Sequence, residues 1–274
     1  MQETSISAMG CRLEAVRAGL CSLALVVFAC LPTSPAQAAG EWLRFDIDGA
    51  ERRVLLHAPE APAAEAPLLV VFHGRGDDAA AFAEAVKLHE DWPEAIIAYP
   101  RGEPHEARPQ RGWQYRAGQY ADRDLRLTDV LLAELDTRFA VPASRRLAAG
   151  FSNGGHFVFL LMQQRPDAFA AHAVIGSVRP DLQIESAPRP MLYLFGRGEP
   201  RRYQDDWRAT VESLVAHQRG SGALLDWADC CKRQAPGPGG ALLVFGLYNA
   251  GHIWPAQGND WLRAFAQEAL NGGD

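Results

Sequence analysis

Lysine is nearly absent: Lys87 and Lys232 are the only two in 274 residues, so arginine carries the basic charge. The arginines are scattered, and 27 basic residues stand against 33 acidic ones, a net charge of -6. Such a chain lacks the basic surface that releases counterions on a nucleic acid or holds an anionic membrane, so neither is expected as a partner. Cysteine is scarce too. Five are present, and Cys11, Cys21 and Cys30 all fall near the start, which excludes a disulfide-built scaffold. There is no His-Glu-x-x-His, no paired Cys-x-x-Cys, no phosphate-loop motif and no Gly-x-Gly-x-x-Gly after a strand, so nothing calls for a metal or an organic cofactor. What is present, 48% hydrophobic and 22% charged residues, is the composition of a globular protein.

The beginning of the chain reads as a leader. Arg12 and Arg17 precede an uncharged run from Ala18 to Leu31, and Pro32, Pro35 and Ala36-Gln37-Ala38 follow. A basic region, an apolar region and an A-x-A site in that order mark a secretory signal peptide. Fourteen residues closed by prolines are too few to span a bilayer of roughly 30 Å. Cleavage after Ala38 is predicted, giving a signal peptide at 1–38, a working domain at 39–274 and a secreted or periplasmic protein with no stable membrane span. An uncleaved anchor and a lipid on Cys30 are the alternatives. Only Cys230 and Cys231 would then remain, to close a ring with each other, pair between chains or stay as thiols.

Past the leader, strand-like and helix-like segments alternate. Trp42 to Asp48 and Arg53 to His57 read as an entry hairpin. Short apolar runs at 68–72, 95–99, 147–149, 173–175, 191–195 and 242–245 read as strands buried on both faces, as in a parallel sheet. Helical segments lie near 79–86, 154–164, 207–217 and 260–270, and Leu127, Val130, Leu131 and Leu135 give one further amphipathic face. The pattern implies one doubly wound α/β domain.

Chemistry enters at Leu147-Ala148-Ala149-Gly150-Phe151-Ser152-Asn153-Gly154-Gly155. A strand runs into Gly-x-Ser-x-Gly and a helix follows at once, the context of a nucleophile elbow that lifts the Ser152 hydroxyl above the sheet edge. A serine needs a base, and its oxyanion needs preorganised donors. The loop Phe72-His73-Gly74-Arg75, directly after the first central strand, is placed to supply one donor; the backbone N–H groups of Arg75 and Asn153 are the expected pair, with His73 as a loop-fixing residue. His252, after the last strand, fits the chain order nucleophile, acid, base, and His156 on the elbow helix is its rival. The acid is expected after the strand at 191–195, where Glu199 stands in Gly196-Arg197-Gly198-Glu199; Asp181, Asp205 and Asp206 remain open.

Gly251-His252-Ile253-Trp254-Pro255 resembles the Gly-His-Thr-Trp-Pro signature of the α/β-hydrolase esterases of the polyhydroxyalkanoate (PHB) depolymerase and feruloyl esterase type. Gly150-Phe151-Ser152-Asn153-Gly154-Gly155 is similar to their elbow, and Gly112-Trp113 followed by Asp124 and a helix is similar to their Trp-containing loop. The resemblance covers about Leu55 to Ala266. It implies a single α/β-hydrolase domain with a mostly parallel central sheet flanked by helices, and hydrolysis of carboxylic esters through an acyl-serine without a cofactor. In that group the acid is an Asp in Gly-Thr-x-Asp, where this chain has Gly196-Arg197-Gly198-Glu199. Cys230 after Trp227 also resembles a family cysteine, but no distant partner cysteine is present.

About fifteen residues separate Ile175 from Met191, too few for a helical lid, so an open cleft is expected. Trp113, Tyr115 and Trp254 are the aromatic residues expected against substrate. The stretch from Arg101 to Arg126, with Trp113, Tyr115 and Tyr120 amid Arg101, Arg108, Arg111, Arg116 and Arg123, reads either as a rim for an aromatic or carboxylate-bearing acyl group or as a solvated loop. The expected substrate is a small or oligomeric ester. A small-ester carboxylesterase or phospholipase-like hydrolase, a serine peptidase of the same fold, and a noncatalytic extracellular binding protein on the same scaffold are the other readings.

Overall fold

The computed structural model describes residues 40–105 and 108–271. The segment expected as a leader, its expected cleavage site and Cys11, Cys21 and Cys30 lie outside the described residues. Among the described residues, twelve strands and six α-helices run in the order β1 (Glu41–Ile47), β2 (Ala50–His57), β3 (Leu68–Phe72), α1 (Ala79–Val86), α2 (Leu88–Asp91), β4 (Ile96–Pro100), β5 (Glu103–His105), β6 (Arg108–Gly112), α3 (Arg123–Phe139), β7 (Arg146–Phe151), α4 (Asn153–Gln164), β8 (Ala171–Ile175), β9 (Met191–Gly196), α5 (Arg201–Gln218), β10 (Gly220–Trp227), β11 (Cys231–Pro236), β12 (Leu243–Tyr248) and α6 (Gly258–Asn271).

Ten strands form one sheet in the order β1-β2-β4-β3-β7-β8-β9-β12-β11-β10. From β4 to β12 the neighbours are parallel, and every residue of β3, β4 and β8 is buried, because helices cover both faces. α3, α4 and α5 bury Leu131, Phe157, Leu161 and Leu214 on one face. α1 and α6 bury Phe82, Val86, Leu262 and Phe265 on the other. Antiparallel pairs finish each edge, β1 with β2 and β10 with β11. The chain leaves β3 toward β4 on one side and returns as β7 on the other, so the strand order reverses between β3 and β7. At such a switch point the two strand-end loops diverge and leave a crevice beyond the carboxyl ends.

Two features differ from the sequence reading. The stretch after β4 contains the β5–β6 hairpin, and the residues after α5 form the β10–β11 hairpin; β10 is exposed along nearly its whole length, including Leu224 and Leu225. Cys230 and Cys231 are joined to each other at the start of β11, the first of the three arrangements left open. Between β8 and β9 there is no helix or strand, and among the described residues no helix is long and apolar enough to cross a membrane.

Candidate active site

Ser152 sits between β7 and α4 at φ 52° and ψ -119°, a conformation that a side-chain-bearing residue adopts only when its surroundings impose it, at about 1–3 kcal/mol. The surroundings are visible. The Ser152 N–H donates to the Ile175 carbonyl of β8 at 2.9 Å, and its own carbonyl accepts from the His156 N–H at 3.1 Å, the His156 Nδ1 at 3.1 Å and the Ser177 hydroxyl. A Cβ on Gly154 would stand 2.1 Å from the Phe72 carbonyl oxygen and one on Gly150 would stand 2.3 Å from that of Gly154, so the turn closes only with glycine there.

His252 and Glu199 reach Ser152 from the ends of β12 and β9, across the intervening β8. His252 Nε2 lies 2.7 Å from Ser152 Oγ, and His252 Nδ1 lies 2.5 Å from Glu199 Oε1. The Glu199 side chain is 4% exposed and the imidazole 48%. A buried carboxylate on Nδ1 holds that proton in place and leaves the Nε2 lone pair toward the serine hydroxyl, the arrangement in which imidazole can take a proton from it. The two loops are laced together: Arg197 N–H donates to Tyr248 O at 2.8 Å and Gly198 N–H to Ala250 O at 2.9 Å. A Cβ on Gly196 would stand 2.5 Å from Gly251 O, which explains the Gly-x-Gly before Glu199. Tyr248 Oη donates to Ile253 O at 2.8 Å and fixes the far side of the histidine loop. The other acids are elsewhere: Asp181 and Asp205 pair with Arg179 and Arg208 at the surface.

The loop after β3 flanks the serine on the other side of the switch point. A Cβ on Gly74 would stand 3.5 Å from Ser152 Cβ, so the Arg75 peptide passes close to the hydroxyl. Asn153 opens α4, where a first-turn N–H has no helical acceptor. Among the described residues, neither of these N–H groups is held by another backbone carbonyl. His73 is fully buried; its Nδ1 lies 2.7 Å from Gly74 O, and its Nε2 accepts the Gly102 N–H at 2.9 Å. Burial pushes its pKa down, so it is a neutral brace for the loop. Burial likewise lowers the pKa of His156, and its ring faces the Ser152 carbonyl instead of the hydroxyl.

Trp113 corrects the expectation of an aromatic substrate contact. It is 1% exposed, with Nε1 donating to His73 O at 2.9 Å and its peptide N–H to Asn153 Oδ1 at 2.7 Å, so it props the two loops from beneath. Beneath it, Arg52 pairs with Asp124 at 2.8 Å with both side chains almost wholly buried, and Asp124 Oδ2 accepts the Gln114 N–H at 2.8 Å. Trp254, half-buried, donates to Asn259 Oδ1 and packs edge-on against Phe82, which makes it a support of the histidine loop. Tyr115 is half-buried, with its ring 6.4 Å from that of His156. The arginine rim is largely engaged with the protein itself. Arg101 binds Asp78 and Glu103, Arg111 also faces Asp78, and Arg123 donates to the carbonyls of Glu103 and Pro104.

Ser177, Gly176 and Arg179, all after β8, are site residues that the sequence reading missed. Gly176 has φ 68°, and a Cβ there would stand 3.0 Å from the Phe151 ring and 3.6 Å from the His252 ring, but no motif marks this loop. A cavity of about 730 Å³ lies by Arg145, Ala170, Pro190 and Leu242, the residues that precede β7, β8, β9 and β12. It therefore opens at the opposite edge of the sheet from Ser152. Among the described residues no group of three or more His, Cys, Asp or Glu could hold a metal ion.

Comparison with known proteins bears on the family and the fold. Residues 47–228 match the esterase family described as "Putative esterase". A curated relative from Nocardia uniformis subsp. tsuyamanensis, "Putative esterase NocK", is 29% identical over 177 residues, 57% of this chain and 47% of that protein. The chain thus spans about half the length of that relative. An acetyl xylan esterase from Aspergillus awamori superposes with a TM-score of 0.63 at 14% identity, over 83% of this chain and 99% of that one. A ferulic acid esterase gives 0.56 at 13% identity, over 85% and 97%. At these identities the superpositions speak for the fold alone. The chain belongs to the esterase family and has the α/β-hydrolase fold.

Proposed function

We propose that this protein is a serine esterase that hydrolyses carboxylic esters through an acyl-enzyme at Ser152. One observation carries the reading: Ser152 Oγ, His252 Nε2, His252 Nδ1 and Glu199 Oε1 stand in line at 2.7 and 2.5 Å on the loops that follow β7, β12 and β9. Ser152 Oγ bonds to the ester carbonyl carbon as its proton passes to His252 Nε2. The oxyanion faces the Arg75 and Asn153 N–H groups, and the imidazolium is stabilised by Glu199. Collapse breaks the bond to the alcohol oxygen, which leaves with the proton from His252. Water then gives a proton to His252 and its oxygen to the acyl carbon, the Ser152 Oγ bond breaks, and the proton returns to Ser152. The residues after β8 form no lid, which suits an open cleft and the depolymerase or feruloyl type of ester. Residues 1–38 are part of the proposal as a removed leader, with the mature protein secreted or periplasmic.

A fluorophosphonate probe should label the wild-type protein on Ser152. S152A should lose both the label and ester turnover with an unchanged far-UV circular dichroism spectrum. Full turnover in S152A would end the reading. Intact mass of the protein from its native host should give Ala39 as the first residue, and a different start would end the processing proposal.

A further inference from the structure

Two arginines border Ser152 in a way that the other arginines of this face do not. Arg75 is exposed, and no ion pair holds its guanidinium among the described residues; its Nη1 lies 3.8 Å from where a Cβ on Gly112 would stand, beside the Asn153 side chain. Arg179 comes from the loop after β8, with its backbone N–H on Thr210 of α5. Its Nη1 donates to Tyr115 O at 3.3 Å and its Nε to Asp181 Oδ1 at 3.0 Å. The Arg179 side chain is 17% exposed, whereas Asp181 is 75% exposed, so the counter-charge stands in water and the cation does not. A pair of that kind recovers little of the cost of drawing a guanidinium out of solvent. Arg179 thus borders Tyr115, whose ring faces that of His156, and Arg75 borders Asn153, so both arginines stand beside residues that adjoin Ser152.

The side of the sheet on which they stand matters. His252 lies against Phe151, and Trp254 behind it packs on Phe82 of α1, so the base approaches over the face covered by α1 and α6. His156, Tyr115 and Arg179 lie over the α4 and α5 face. The departing alcohol takes its proton from His252 and must lie on the histidine side. The acyl chain then extends the other way, across His156 and Tyr115, toward the two guanidinium groups. The unpaired Arg75 guanidinium and the Arg179 Nη2, which holds no partner among the described residues, are planar cationic N–H donors of the kind that match a carboxylate.

We propose that Arg75 and Arg179 form an anion-reading acyl subsite, and that the enzyme prefers esters whose acyl group ends in a carboxylate, the hemiesters of short dicarboxylic acids. This rests on the serine reading above and narrows its substrate class. Arg75 thereby has two parts, its peptide N–H toward the oxyanion and its side chain toward the far end of the acyl group. Arg179 acts only through its side chain.

The test compares monomethyl glutarate with methyl valerate, which differ by a carboxylate in place of a methyl group, by pH-stat at pH 8. The wild type should favour monomethyl glutarate in kcat/KM by about tenfold or more, as expected for a charge-assisted hydrogen bond. The ratio should fall as salt is raised from 0.02 to 0.5 M, mainly through KM, a measurement that needs no variant. R179Q should bring the ratio down at least fivefold, and R179K should keep part of it, because lysine supplies the charge without the planar fork. Turnover of both esters with a ratio at or below one, or a ratio indifferent to salt and to R179Q, overturns the subsite and leaves the serine reading intact. A labelled Ser152 with neither ester turned over also overturns the subsite alone. No turnover together with an unlabelled Ser152 overturns both.

Discussion

Asp124 offers the strongest test of how the site is supported. Its carboxylate is fully buried, one oxygen on Arg52 Nη2 at 2.8 Å and the other on the Gln114 N–H at 2.8 Å. Arg52 is 2% exposed, its remaining contacts are the Arg123 and Arg101 carbonyls at 3.4 Å, and its Nε has no partner. D124N keeps the shape and an acceptor for Gln114 but removes the counter-charge that, among the described residues, alone lies against the buried Arg52 guanidinium. Breaking such a pair from one side costs about 3–5 kcal/mol, a large part of the roughly 5–15 kcal/mol that holds a domain folded. Adding R52M to D124N removes the stranded charge, and the double variant should recover more than half of the loss. Urea unfolding at pH 7, followed by circular dichroism, reads all four proteins of the cycle. A D124N variant within about 1 kcal/mol of the wild type, or a double variant no better than the single, would refute the argument that Arg52 depends on this one carboxylate. Because Gln114 adjoins Trp113, and Trp113 binds Asn153, ester turnover in D124N should fall below that of the wild type at urea concentrations where both remain folded.

His172 predicts a pH response. Its ring is wholly buried in β8 with neither nitrogen bonded, and burial, with Arg189 nearby, brings its pKa from 6.5 down to about 3. The native ring stays neutral while the unfolded chain takes a proton below pH 6.5. Protonation linkage at this site therefore takes no stability above that pH and removes about 1.4 kcal/mol per unit as the pH falls toward 3. H172L should match or exceed the wild type in urea at pH 7 and exceed it by about 2–3 kcal/mol at pH 4.5; equal pH profiles for the two proteins would contradict this. E199Q should lower kcat roughly 10³-fold with little change in KM, since the amide no longer fixes the imidazole tautomer or offsets its charge, and a loss under tenfold would move the acid to another residue.

The parallel strands were legible because each is buried on both faces, so that Leu68 to Phe72 and Met191 to Phe195 are written as unbroken apolar runs. The β10–β11 hairpin was not. Its strands, Gly-Ser-Gly-Ala-Leu-Leu-Asp-Trp and Cys-Lys-Arg-Gln-Ala-Pro, are mostly exposed and carry no alternation for burial to impose. In the site, the grouping of Ser152, Glu199 and His252 could be anticipated because each follows a strand whose end is fixed by the sheet. Trp113 was read as a contact with substrate because an aromatic residue in an irregular stretch looks the same whether it faces water or a core. Its partners His73 and Asn153 are each forty residues away, and only the folded chain shows them. Arg179 had no sequence signal at all, since its position depends on Tyr115 and Thr210.

The pairing of β3 with β7 runs from Leu68 opposite Arg146 to Phe72 opposite Gly150. The Arg75 and Asn153 amides stand three residues beyond those last partners, one past each strand. Their separation is therefore a property of backbone registry, not of any side chain that could be exchanged. A slip of one residue would displace one amide from the other by about 3.3 Å, more than the length of the hydrogen bond it must donate, and would invert every core contact of the strand as well. The alignment on which oxyanion binding depends is thus guarded by the least mutable part of the molecule, while the acyl-facing loops remain free to vary.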